Sequence, residues 1–304
     1  MTEATSRPLL AGTVNRRRWR LSAIGPSSRF YWVRMMLETR AVLASILFIL
    51  AICLLGVLAP VIAPAEPNFV NPADRLQGPS STYWFGTDDL GRDVFSRAIY
   101  GGRISLLVGI TVMLGATVLG SLIGLVAGYY RRIDTVRMRV MDGLEAFPSI
   151  LLAIAIMATF GSATRNVIIA LSVVFAPNIA RLVRSTTLMN REQPYVESAR
   201  AIGLGDLPIM WRYIFMNSLS PLIVQATFIV ALGILGEASL SFLGAGVPPE
   251  TPTWGSMVSG GQPRLQQAWW ISVFPGAFLF ATVLAFNLIG DGLRDTLDPR
   301  SRKR

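Results

Sequence analysis

The run Gln193-Pro194-Tyr195-Val196-Glu197-Ser198-Ala199-Arg200-Ala201-Ile202-Gly203-Leu204-Gly205-Asp206-Leu207-Pro208 is a polar interruption in an otherwise apolar chain. Pro194 suits the first turn of a helix, where its missing N–H would have had no partner. Glu197, near that start, meets the positive end of the helix dipole. Gly203 can supply the left-handed residue that stops the helix. Asp206 and Pro208 then read as the cap and opening of a second short helix ending near Phe215. The whole run sits between two stretches long enough to cross a bilayer, so it presents a helix-turn-helix outside the membrane.

Working outward, hydrophobic residues make up 52% of the 304-residue chain and charged residues only 15%. A soluble domain carries roughly 25% charged residues, so the chain is an integral membrane protein. Each helical span needs about 20 apolar residues. Six stretches qualify, near 41–63, 105–128, 139–160, 166–188, 218–243 and 269–290. The fourth is interrupted by Pro177, Asn178, Arg181 and Arg184 in its second half. The first is too long, and follows too long a tail, to be a cleaved leader.

Arginine and lysine are distributed by loop. The segments before residue 41, at 129–139, at 181–217 and after 290 hold 22 of them, and the alternate connections hold 6. The positive-inside tendency places the first set, with both termini, in the cytoplasm. The net charge of +10 therefore reflects topology and not nucleic acid. The run Arg16-Arg17-Arg18-Trp19-Arg20 reads as topogenic or lipid-contacting.

Several chemistries lack their residues. There is no histidine and a single cysteine, Cys53, so the usual transition-metal sites, the commonest general base and any disulfide are missing. No metal site is expected. The only lysine is Lys303, which leaves no residue for a phosphate-binding Walker A loop. No Gly-x-Ser-x-Gly elbow occurs, and no catalytic residue is assigned. The spacing Gly120…Gly124…Gly128 reads as helix packing. If ATP drives this protein, another chain binds it.

Two further groups of residues stand out. In the Pro- and Asn-rich segment after the first span, Gly86-Thr87-Asp88-Asp89-Leu90-Gly91-Arg92-Asp93 reads as a surface turn. Its glycines give backbone freedom and Asp88 caps a short helix; the alternative is a lid or docking element over a pore mouth. Acidic residues within or near spans are costly and face protein or water. Glu237 is the deepest, with Asp142 and Asp291 near span ends. These are candidate path or inter-helix polar residues.

The order Glu197-Ser198-Ala199, three residues, then Gly203 resembles the Glu-Ala-Ala…Gly loop by which importer-type ABC permeases seat on their ATPases. Gly86-Thr87-Asp88 with Gly91-Arg92-Asp93 is similar to the run ahead of the core in dipeptide/oligopeptide permeases, specifically the "C"-type subunit. Ala146-Phe147-Pro148-Ser149, Ala238-Ser239-Leu240-Ser241-Phe242-Leu243-Gly244, Pro252-Thr253-Trp254-Gly255 and Asn287-Leu288-Ile289-Gly290-Asp291-Gly292 extend the resemblance over roughly residues 30–300. One departure is Phe215-Met216-Asn217, where the family loop ends in Leu-Pro. Without that proline the second helix runs on toward Ser218 and Pro221.

The resemblance implies an all-α fold of six transmembrane helices, the type I ABC importer permease fold, with one peripheral N-terminal span and a five-helix core. Its segments would be a basic cytoplasmic N-terminus (1–40), the first span (41–63), an external segment (64–102), the core (103–292, coupling loop about 190–217) and a cytoplasmic tail (293–304). The implied function is half of a translocation path for peptides, the chain itself being no enzyme. Tyr195, Glu197, Ser198, Ala199, Arg200, Gly203 and Leu207 would couple to the ATPase. No cofactor is expected in this chain, with ATP and Mg on the partner subunits. Implied partners are a "B"-type sister permease, one or two ATPase subunits, an extracytoplasmic binding protein and membrane lipid in the bacterial cytoplasmic membrane. On physics alone, the loop could instead lie on lipid headgroups through Glu197, Arg200 and Arg191. A stand-alone secondary transporter or channel is the alternative function, and it predicts an internal repeat that the chain does not show.

Overall fold

A computed structural model describes residues 39–248 and 250–297. The basic run at Arg16 and the end of the tail lie outside these residues. The main elements are helices α1 (Arg40–Val57), α2 (Val94–Tyr129), α3 (Arg131–Glu145), α4 (Ser149–Phe160), α5 (Thr164–Arg191), α6 (Pro194–Ala201), α7 (Met216–Phe242), α8 (Trp254–Gly261) and α9 (Trp270–Leu297). Among the described residues the only β feature is one isolated bridge, Thr87 with Asp93. The molecule is an all-helical, multi-pass membrane protein.

Among the described residues, five helices are long and apolar enough to cross a bilayer: α1, α2, α5, the continuous Asp206–Phe242 run that contains α7, and α9. The third stretch read from sequence, 139–160, departs from expectation. It divides into α3 and α4, which meet at a 93° bend, so a sixth crossing exists only as a broken one. The break falls at Ala146-Phe147-Pro148. Pro148 has no N–H and disfavours helical conformation in the residue before it, so a helix reaching Phe147 stops and restarts. At 1.5 Å per residue the 12 residues of α4 reach only about 18 Å, short of a ~30 Å hydrocarbon core. Conversely, α2 begins at Val94, well before the expected 105, and its 36 residues run past the bilayer thickness.

The core is the packing of α2 on α5. A methyl group at Gly120 would sit 2.5 Å from the Ala176 carbonyl oxygen, and one at Gly128 would sit 2.6 Å from Thr187 Cβ. One at Gly124 would overlap the Ala180 carbonyl oxygen. The glycine spacing is thus a helix-packing seam, where the absence of side chains lets two backbones touch. Val108, Val112, Ala116, Val167, Ile179 and Ile229 are buried around it.

Candidate functional site

At one end of the bundle, the 193–217 segment folds as its turn chemistry dictates. Gln193 is the N-cap of α6, Pro194 occupies the first turn and Glu197 lies in it. Gly203 has φ +83°, and the Gly203 and Leu204 amides donate to the Arg200 and Ala199 carbonyls at 2.9 and 3.1 Å. A left-handed residue with these two bonds is how a helix closes its last carbonyls. Val196 and Ala199 are buried against the bundle. Ala199 therefore packs inside this chain, while Glu197, Ser198, Arg200 and Gly203 are exposed around it.

The second half differs from the expected separate helix. Gly205 takes the cap position and the Asp206 side chain makes no capping bond. Instead Asp206 accepts hydrogen bonds from Tyr129 Oη at 2.6 Å and Tyr130 Oη at 3.0 Å. That second bond raises the Tyr130 phenol above its ordinary value. Helical structure then continues through Ile209–Phe215, wound as a π-helix, directly into α7. Met216 in place of a proline permits this continuity, as its N–H and its shape do not break the helix.

Further contacts hold the segment, and the end of α5 that leads into it, to the bundle. Arg191 is buried and donates to the Gly128 and Tyr129 carbonyls at 2.9 and 3.3 Å, so it is no part of an exposed charged face. The Arg200 guanidinium lies 5.5 Å from the centre of the Tyr129 ring. Tyr195 Oη donates to Asn190 Oδ1 at 3.1 Å and accepts from Asn217 Nδ2 at 3.3 Å. What remains at the tip is apolar: Ile202 is 78% exposed and Leu207 79%. Sequence reading singled out Leu207 but passed over Ile202. The signal was an isoleucine beside a helix-stopping glycine, which the described residues leave uncovered.

At the other end, Gly86-Thr87-Asp88 and Gly91-Arg92-Asp93 form a compact knot. Gly86 and Gly91 both have φ +73°, and a side chain on Gly91 would overlap the Asn71 carbonyl oxygen. Thr87 is buried; its hydroxyl donates to the Asp74 carbonyl at 2.5 Å, and its own carbonyl accepts from Trp270 Nε1 at 3.1 Å. Asp88 organises a turn by accepting from the Leu90 and Arg92 amides at 2.9 Å, and from Arg92 Nε at 2.6 Å. Helix capping falls to Asp93, which accepts from the Ser96 amide at 2.8 Å at the start of α2. Arg97 bonds the Pro67 carbonyl and Asn68 Oδ1, both at 2.9 Å. Phe85 stacks on Phe274 at 4.1 Å, fastening the knot to α9.

The three acidic residues are far apart in role. Glu237 is fully buried, and its Oε1 accepts from Ser241 Oγ and Thr253 Oγ1 at 2.8 Å each. Asp142 is exposed and bonds Arg181 at 3.1 Å, an arginine that Glu145 also contacts. Asp291 lies exposed on the last helix. Beside Glu237, on other faces of α7, runs an apolar groove. It comprises a cavity of about 410 Å³ at Ile150, Ser239, Phe242, Leu243 and Gly276, and a narrower one of about 110 Å³ at Ala153, Phe175 and Leu235. Neither lining contains a charged side chain.

A family model described as binding-protein-dependent transport system inner membrane component matches residues 116–303. Among curated proteins, the chain is 47% identical over 277 residues to a putative peptide transport system permease protein of Brucella suis biovar 1 (strain 1330), covering 91% of this chain and 94% of that one. It is 44% identical to a dipeptide transport system permease protein of Alkalihalophilus pseudofirmus, covering 87% and 88% of the two chains. It is also 43% identical to a glutathione transport system permease protein of Pectobacterium atrosepticum, covering 90% and 91%.

Proposed function

The chain belongs to the inner membrane components of binding-protein-dependent transport systems, and from that premise we propose how it works within an ATP-driven importer. It is a membrane permease subunit of the ABC importer class, a translocation component and not a catalyst. Its cargo is a peptide, in keeping with relatives whose names specify peptides, dipeptides and glutathione.

The single observation that carries the coupling role is the exposed apolar tip made by Ile202 and Leu207 on a segment otherwise fastened to the bundle. A rigid, polar-flanked projection with two bare aliphatic side chains suits insertion into a groove on a soluble partner, where buried apolar anchors carry most of the affinity. The partner is an ATPase subunit that binds ATP and Mg. Tyr195, Glu197, Ser198, Arg200 and Gly203 border the contact, while Ala199 sets the helix on its support. Because Asp206–Phe242 is one continuous helix, displacement of the tip is delivered straight into α7 and the apolar groove beside it. Residues 1–40, 190–217 and 293–304 lie on the cytoplasmic side, and the 64–102 knot faces the peptide-delivering binding protein. A "B"-type sister permease closes the path on the open side of the groove.

The test is purification of the chain with its sister subunit and ATPases from detergent-solubilised membranes, followed by reconstitution and peptide-stimulated ATP hydrolysis. Co-purification of an ATPase with wild type and its loss with Ile202→Asp/Leu207→Asp support the reading. Transport by the chain alone, with no ATPase present, would sink it.

A further inference from the structure

The helix α3 does not lie where a membrane-crossing segment should. It turns 93° into α4, and its ion-pair partners Arg181 and Arg184 sit 17 and 20 residues along α5 from Thr164. At 1.5 Å per residue those positions are about 26 and 30 Å from that end of α5, one hydrocarbon thickness away. The helix therefore runs across the bundle at the depth of a membrane–water boundary.

Its surface divides into three sectors. Met138 and Met141 are buried against Ala127 and Ala180, and Asp134 and Glu145 reach α5, so one sector faces protein. Ile133, Val136 and Val140, spaced three and four residues apart, form a second sector left exposed by the described residues; Val136 is 67% exposed and Val140 56%. Phe147, 62% exposed, continues that stripe past the end of the helix. Arg132 and Arg139, seven residues apart and both exposed, flank the stripe on one side, and half-buried Arg137 flanks it on the other. None of these three arginines has an acidic partner among the described residues.

We propose that α3 is an in-plane interfacial helix that seats its Ile133–Val136–Val140 stripe in the acyl region and binds anionic lipid phosphates through Arg132, Arg137 and Arg139. An apolar stripe between arginines lets each guanidinium extend to the headgroups while its methylenes stay in contact with lipid. The charge complementarity selects an anionic surface, since each arginine near such a leaflet adds attraction of its own. The consequence is mechanical. Through Asp134–Arg184 and Asp142–Arg181, lipid held by α3 steadies α5, the helix that leads into the 193–217 segment.

Labelling can test this on the full chain. The only cysteine, Cys53, is replaced by serine, and Val136→Cys carries a bimane fluorophore in proteoliposomes, with Val140→Cys as a second position. Phosphatidylglycerol brominated on its acyl chain is expected to quench either label at least about twofold more strongly than phosphatidylcholine brominated in the same way, at equal mole fraction. Arg132→Gln/Arg139→Gln, itself monodisperse on size exclusion, should abolish the difference while leaving quenching by both lipids. Absence of quenching by either lipid at both positions would mean that the stripe faces water or another protein, and the proposal falls. Equal quenching by both lipids before the arginines are changed would overturn the phosphate recognition.

Discussion

Arg184 of α5 grips Asp134 of α3 with two parallel hydrogen bonds, Nε to Oδ1 at 2.6 Å and Nη2 to Oδ2 at 2.7 Å. The fork geometry matches a guanidinium to a carboxylate as a lysine could not. Since α3 meets α4 only through a sharp bend, this pair and the nearby Asp142–Arg181 contact fix the angle at which α3 crosses the bundle.

Replacing Arg184 by alanine should lower stability by about 1–2 kcal/mol, between the values for exposed ion pairs and for hydrogen bonds to charged groups. The side chains are 32% and 19% exposed, which discounts the upper end. Arg184→Lys should recover less than half of the loss. Thermal unfolding in detergent, run as a double-mutant cycle with Asp134→Asn, checks the coupling; additive effects would mean that the pair contributes nothing.

Glycines in this chain fall into two kinds, and substitution separates them. Gly124→Leu forces α2 away from α5 because the Ala180 carbonyl already occupies the space, and should cost about 1–3 kcal/mol or prevent folding. Gly143 lies within α3 with nothing within 4 Å of an added methyl, so Gly143→Ala should gain up to about 1 kcal/mol from helix propensity. Size-exclusion profiles before and after heating distinguish the two. A tolerated Gly124→Leu would mean that the α2–α5 seam opens freely.

Much of this architecture was legible because membrane helices are read from length and apolarity, and their termini from proline and glycine. Pro194 and Gly203 marked the limits of α6 correctly for reasons of backbone chemistry alone. The 139–160 stretch misled because apolarity there is continuous while the geometry is decided by Pro148, a local effect that a hydropathy window averages away. Asp206 misled in the opposite way. Its spacing suits a cap, but Tyr129 and Tyr130, 77 and 76 residues distant in sequence, take its carboxylate. Asp93 took the capping role expected of Asp88, since either acid satisfies the local rule and the Asp88 carboxylate is held instead by Arg92, four residues on. The lipid-facing stripe of α3 was invisible until the bend showed which side of the helix is left bare.

The apolar tip should be energetically silent in the isolated chain and decisive in the complex. Ile202→Asp and Leu207→Asp remove side chains that touch little within this chain, so the melting temperature should stay within about 2 °C of wild type, as is usual for surface changes. Each should weaken ATPase binding by a factor of roughly 30, the loss expected when an anchor worth about 2 kcal/mol is removed. Gly203→Ala is a useful contrast. It meets no neighbour, but its φ of +83° costs about 1–2 kcal/mol for any residue with a Cβ. Binding assays on purified subunits check all three, and unchanged affinity in both aspartate variants would remove the tip from the interface.

Glu237 poses a choice between a strut and a participant in transport, and its hydrogen bonds decide which substitutions can tell. Oε1 receives the Ser241 and Thr253 hydroxyls, and Thr253 in turn caps α8 by accepting from the Ser256 amide at 3.0 Å. One carboxyl oxygen thus links α7 to the first turn of α8, while Oε2 is buried with no hydrogen-bond partner among the described residues. Glutamine keeps the acceptor and the shape without the ionisable group. Glu237→Gln should therefore fold and transport within about twofold of wild type. Both hydroxyls retain their acceptor, and the amide nitrogen replaces an oxygen that already lacks a partner, its unpaired N–H donors lowering stability by about 1–3 kcal/mol. Alanine removes the acceptor and leaves a cavity, so Glu237→Ala should destabilise by about 2–4 kcal/mol, combining the lost bonds with the void. Peptide uptake and thermal unfolding on the same preparations separate the outcomes. If Glu237→Gln unfolds normally but no longer transports, the carboxyl exchanges a proton or meets cargo, and the strut assignment is wrong.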